Sequence, residues 1–151
     1  METTTAEARP IVAHLEQEFA GVTNRLRKQL SSVSPDLLYS PPPVTFGENI
    51  LRSAAAIEQI FGGLTANLWD DPFEWTLPEA LSTPQLVLDY IAEVDSTRSR
   101  AFASIQHDSD LLKYVAAPSG EERTLLSLLL EALLSAHRYE DRAQKVSTIT
   151  R

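Results

Sequence analysis

The stretch Leu125-Leu126-Ser127-Leu128-Leu129-Leu130-Glu131-Ala132-Leu133-Leu134-Ser135-Ala136-His137-Arg138-Tyr139-Glu140-Asp141-Arg142-Ala143-Gln144 decides the reading of this chain. Leu126, Leu130 and Leu133 follow one another at helical spacing, and His137, Asp141 and Gln144 continue the same stripe. This is the 3.6-residue period of an amphipathic helix. The stripe is apolar as far as Leu133 and polar beyond it, so a helix that begins in a core ends in a polar cluster. Ser119-Gly120-Glu121-Glu122, a Ser-x-x-Glu capping box, is its expected start.

Three more helices precede it. Ile11, Leu15, Phe19, Val22, Leu26 and Leu30 form one stripe, with Pro10 in the first turns and a start near Ala8 or Arg9. Pro41, Pro42 and Pro43 cannot continue a helix, because each lacks an N–H and clashes with the preceding turn. Thr45 and Glu48 form a Thr-x-x-Glu capping box that opens a second helix, with Ile50, Ala54, Ile57, Phe61, Leu64 and Leu68 on its inner face. Gly62-Gly63 marks a close contact or a bend in it. Trp69 to Ser82 is a loop holding Trp69, Phe73 and Trp75, read as a cap on the core, a pocket lid or a dimer contact. Pro84 suits the first position of a third helix, whose inner face is Val87, Ile91, Val94, Arg98, Phe102 and Ile105. No strand-like alternation competes. The expected fold is all-α: an antiparallel four-helix bundle forming one domain over 1–151.

The chain has 151 residues and a formal net charge of −8, with three His and no Cys. The missing Cys excludes disulfides, Cys-ligated zinc and thiol catalysis in cis. The acidic balance argues against nucleic acid as a partner. No apolar stretch is long enough to suggest a membrane span. Residues 1–6 lack a basic region followed by an apolar core, so the expected location is cytoplasmic.

His137 and Asp141 are one turn apart, a spacing that would let both reach one divalent metal if another helix supplied a further ligand. The plainer reading is a hydrogen-bonded pair near a helix end. Neither His-Glu-x-x-His nor Glu-x-x-His occurs. Arg98 on an inner stripe needs an acidic partner, for which Asp141, Glu140 and Glu58 are candidates, unless it snorkels to the edge. Glu58, Gln144 and Arg98 are therefore pocket candidates. His14 is read as a surface partner of Glu18. His107, beside Asp108, is read as a partner of the third helix's C-terminal dipole.

Three segments carry a resemblance to a known family. They are Ile50-Leu51-Arg52-Ser53-Ala54-Ala55-Ala56-Ile57-Glu58, Pro118-Ser119-Gly120 leading into Thr124-Leu125-Leu126, and the run from Leu133 to Gln144. From about His14 to Val146 the chain resembles the DinB/YfiT-like superfamily of four-helix-bundle metalloproteins. That resemblance implies one divalent metal, nickel or zinc, held by one His of the second helix and two of the fourth. It also implies thiol-dependent transferase or hydrolase-like chemistry and a homodimer. Residue by residue, His137 matches one ligand position, Asp141 stands at the second, Ser53 stands at the helix-two position, and Gln144 matches the residue after the motif. One imidazole, one carboxylate and a neutral hydroxyl hold such a cation far more weakly than three imidazoles. The resemblance thus implies a degenerate metal site without a tightly bound metal, leaving a small-ligand pocket or a polar core. The alternatives are a metal-dependent thiol-transferase or hydrolase-like enzyme and a non-catalytic homodimeric interaction module.

Overall fold

The computed structural model describes residues 9–74, 78–116 and 120–150, with side chains described to residue 148. Four long helices dominate: α1 Pro10–Ser31, α2 Phe46–Ala66, α3 Pro84–Ala103 and α4 Leu125–Thr150. Against the sequence expectation there is also a small sheet. β1 Tyr114–Ala116 pairs antiparallel with β2 Glu122–Thr124 just before α4. It has too few residues to show a period-2 pattern, which is why the sequence gives no sign of it. The Trp75 and Ser119 readings lie outside the described residues. α4 begins three residues after Glu121-Glu122, and its first turn is capped by Thr124, whose Oγ1 accepts from the Ser127 N–H at 3.1 Å.

The other starts follow local chemistry. Thr45 Oγ1 accepts from the Glu48 N–H at 3.2 Å, and Thr83 Oγ1 from the Leu86 N–H at 3.2 Å, with Pro84 opening α3. α1 has no side-chain cap of its own; Arg9 precedes Pro10. The Asp108 carboxylate supplies the cap from far along the chain, accepting from the N–H groups of Ile11 and Val12 at 3.1 and 3.0 Å. In return Arg9 Nη1 donates to the carbonyls of Phe102 (2.8 Å) and Ile105 (2.5 Å), placing a cation at the C-terminal end of α3. His107 is therefore not a dipole partner of α3. It precedes the short 3-10 segment Asp108–Leu112, and its N–H donates to Asp110 at 3.1 Å.

These contacts set the topology. Arg9 meets Phe102 and Arg98 meets Glu16, so α1 and α3 run antiparallel. Ser53 meets Ala136 and Arg52 meets Tyr139, so α2 and α4 do too. The start of α4 joins Lys113, next to the segment that caps α1, while Arg25 meets Glu140 further on. α1 and α4 therefore run parallel, and so do α2 and α3. Around the bundle the order is α1, α3, α2, α4. The fully antiparallel arrangement expected from the sequence is corrected in this respect. Short connections force antiparallel neighbours, and these connections are not short. Parallel α2 and α3 require residues 67–83 to travel the length of a 20-residue helix, about 30 Å.

Phe19, Phe61 and Phe102 form the centre of the core, with ring centroids 5.0, 5.2 and 5.9 Å apart and no exposure. Ile11 and Leu68, both expected in the core, lie outside it. Ile11 is exposed in the first turn, where Val12 faces in, and Leu68 lies beyond the end of α2. Asn67 ends α2 in the left-handed region (φ 57°) and its N–H bonds to the Gly63 carbonyl at 3.0 Å. The chain then folds back so that the Trp69 ring lies on Gly63, where a Cβ would overlap it. Gly63 is thus a close-contact glycine. A Cβ on Gly62 would meet only the Leu68 carbonyl at 3.3 Å and the Leu68 Cβ at 3.9 Å. Gly63→Ala is expected to destabilise the fold by about 1–3 kcal/mol through overpacking. Gly62→Ala should cost less, since it regains up to about 1 kcal/mol of helix propensity. Urea unfolding of the two variants gives the comparison.

Candidate functional site

α4 is apolar nearly all round in its first half, so bulk hydrophobicity alone does not fix which side faces inward. Leu125, Leu129, Ala132, Ala136, Glu140, Ala143 and Ser147 are the buried stripe. It lies one residue, about 100° of rotation, from the stripe expected from the sequence. Small residues decide the matter. Ala132 and Ala136 let α2 approach with Ser53, Ala54 and Ala55 buried on its side. Ser53 is fully buried and its Oγ donates to the Ala136 carbonyl at 2.7 Å.

This phase separates the residues that were expected together. The inward pair one turn apart is Ala136 and Glu140, not His137 and Asp141. His137 has 42% of its side chain exposed, and its Nδ1 lies 3.6 Å from Glu140 Oε1. Asp141 is on the outer surface, where it pairs with Lys145 at 3.0 Å, and Gln144 is exposed. Ser53 has committed its proton to the backbone. These donors do not converge, so Ser53, His137 and Asp141 do not fit nickel or zinc as a common ligand set. Among the described residues no three His, Asp or Glu side chains are grouped as a metal site.

The remaining candidates have structural partners. Glu140, missed as an inner residue, is the buried carboxylate of α4. Arg25 of α1 grips it with two bonds, Nε to Oε2 at 2.7 Å and Nη2 to Oε1 at 3.1 Å. The hydrogen bond to Glu140 raises the Arg25 pKa above its ordinary value, with burial opposing and the charges of Glu140 and Glu18 adding to the rise. A carboxylate gripped in this way clamps α4 to α1. Arg98 pairs with neither Asp141, Glu140 nor Glu58. It faces α1, with Asp95 at 3.3 Å and Glu16 at 3.5 Å, while Asp95 also accepts from Thr23 Oγ1 at 2.7 Å and pairs with Arg27. Glu58 accepts from the Tyr90 hydroxyl at 2.6 Å, joining α2 to α3. His14 lies 3.9 Å from Glu18 on the surface, as its spacing implied.

A large concavity lies elsewhere, on the α2–α4 face. A groove of about 1040 Å³ is lined by Ala56, Ile60 and Trp69 on one side and by Leu126, Leu130 and Leu134 on the other. Leu130 and Leu134 are 43% and 66% exposed. Glu121 and Arg138 also line it, and neither has an ion-pair partner among the described residues. Arg123 lies in it too but is paired with Glu131 at 2.8 Å. Comparison of the chain with protein-family models, curated proteins and solved structures finds no match.

Two substitutions separate the inner and outer carboxylates of α4. Glu140→Ala is expected to cost about 1–3 kcal/mol, because Arg25 and the helix lose a largely buried partner. Asp141→Ala should stay within about 0.5 kcal/mol of wild type, as a surface change does. Denaturant midpoints measured side by side give both values.

Proposed function

We propose that this chain is a DinB/YfiT-like four-helix bundle that acts as a non-catalytic homodimeric interaction module, with the outer face of α4 as its contact surface. The observation that carries this reading is the leucine row Leu126, Leu130 and Leu134. These residues are spaced by one turn each along a groove that leaves Leu130 and Leu134 open to solvent. Exposed apolar rows with a polar rim mark interaction sites.

The occupant that fits is a second copy. A two-fold interface must be complementary to itself. Leu130 lies midway between Leu126 and Leu134. Two α4 helices crossing antiparallel at Leu130 would set Leu126 of one chain against Leu134 of its partner. The same operation carries Glu121 toward Arg138 of the partner, matching the two unpaired charges of opposite sign. Trp69 would add an aromatic flank, the residue type favoured at such interfaces.

The resemblance supports the family part of this reading through the α2–α4 pair, since Ser53, at the family's helix-two ligand position, bonds α4 at Ala136. The thiol-transferase and hydrolase-like readings need a metal centre that the Ser53, His137 and Asp141 donors do not fit.

Sedimentation velocity at micromolar concentration tests the proposal. Wild type is expected as a dimer and Leu134→Glu as a folded monomer. Glu121→Arg should weaken the dimer, and adding Arg138→Glu should restore it. A wild-type chain that stays monomeric, or a dimer indifferent to Leu134→Glu, would overturn the reading.

A further inference from the structure

At the other end of the α2–α4 seam, beyond the leucine groove, two guanidiniums share one aromatic ring. Arg52 of α2 lies 6.0 Å from the Tyr139 ring centroid and Arg142 of α4 lies 5.3 Å from it. Arg52 also stacks on Phe73 at 4.0 Å. Cation–π contact holds each arginine in place, but it does not neutralise either one. Neither has a carboxylate within ion-pair distance among the described residues, although the chain carries a net charge of −8.

Beside this cluster is a cavity of about 330 Å³ lined by Pro43, Val44, Thr45, Glu48, Asn49, Arg52, Tyr139 and Arg142. Its volume is at the lower end for small-molecule pockets. The wall has two characters. Arg52 and Arg142 bring two positive charges, and Glu48 offsets one of them. Pro43 and the exposed Val44 add an apolar surface to the lining. The Asn49 amide is already bonded to the Thr45 carbonyl at 2.8 Å, so it does not compete.

We propose that this cavity binds a small organic carboxylate. The carboxylate takes the place between Arg52 and Arg142, relieving the repulsion between them, and the apolar body of the ligand rests on Pro43 and Val44. Guanidiniums bind carboxylate and phosphate by the same paired hydrogen bonds, so hydrogen bonding alone does not separate these classes. Two arginines and one glutamate leave a single net positive charge, which matches a monoanionic carboxylate better than a nearly dianionic phosphate, and the apolar wall gives inorganic phosphate nothing to rest on. This site is independent of the leucine groove and of the oligomeric state.

Titration of isotope-labelled protein with benzoate, followed by backbone amide resonances, tests the assignment. Saturable binding in the millimolar range or tighter is expected, with shifts confined to the start of α2 and the region of Tyr139 and Arg142. The neutral isostere benzamide should bind at least about tenfold more weakly, as should benzoate to Arg142→Gln, a difference well within the reach of one lost charge contact. Arg142 is exposed, so this variant should keep the wild-type spectrum elsewhere. Val44→Ser should weaken benzoate and leave phosphate unchanged. Absence of saturable benzoate binding, equal affinity for benzamide, or shifts mapping elsewhere would overturn the site. Inorganic phosphate binding as tightly as benzoate would overturn the carboxylate assignment.

Discussion

The close approach of α2 to α4 is the constraint on which the rest of the site depends. Ser53 of α2 meets Ala136 across a seam with little side-chain bulk, its hydroxyl bonding the Ala136 carbonyl, and Ala132 is buried one turn earlier on α4. Interiors pack at crystal-like density, so a seam of small residues cannot be exchanged for a leucine face without moving a helix. Fixing the rotation of α4 in this way decides every polar question along it. Glu140 turns inward to Arg25, His137 stays at the edge, Asp141 goes to the surface with Lys145, and Leu130 and Leu134 are left in a groove.

The crossovers follow from the same packing. With α2–α4 and α1–α3 antiparallel and α1–α4 parallel, α2 and α3 must run the same way, and residues 67–83 have to span the bundle. Trp69 uses the route to cover Gly63, and Phe73 to cover Arg52. At the other connection, Asp108 and Arg9 exchange caps between α1 and α3. Polar side chains thus work here as fasteners between helix ends.

Much of this was legible from the residues. The four helices follow from the apolar period, and Thr45 and Pro84 mark two of the starts because helix-start signals are local. The phase of α4 was not legible by the same means. Leu125, Leu126, Leu128, Leu129, Leu130, Leu133 and Leu134 surround the helix, so two stripes one residue apart score alike. The row Ala132, Ala136, Ala143 carries the information, since small residues mark close contact, and a count of large apolar residues passes over it. The partners of Arg98 and the cap supplied by Asp108 are non-local, and helical spacing within one segment says nothing about them. Helix direction was hidden as well, because the long connections allow either sense.

The rotation of α4 is open to a direct measurement. The chain contains no Cys, so single cysteines introduced at positions 136 and 141 report accessibility without background. Thiol labelling of the folded variants should be slow for Ala136→Cys and near the unfolded-chain rate for Asp141→Cys. The reverse order, with position 141 protected and position 136 open, would contradict the packing described here and return His137 and Asp141 to the interior.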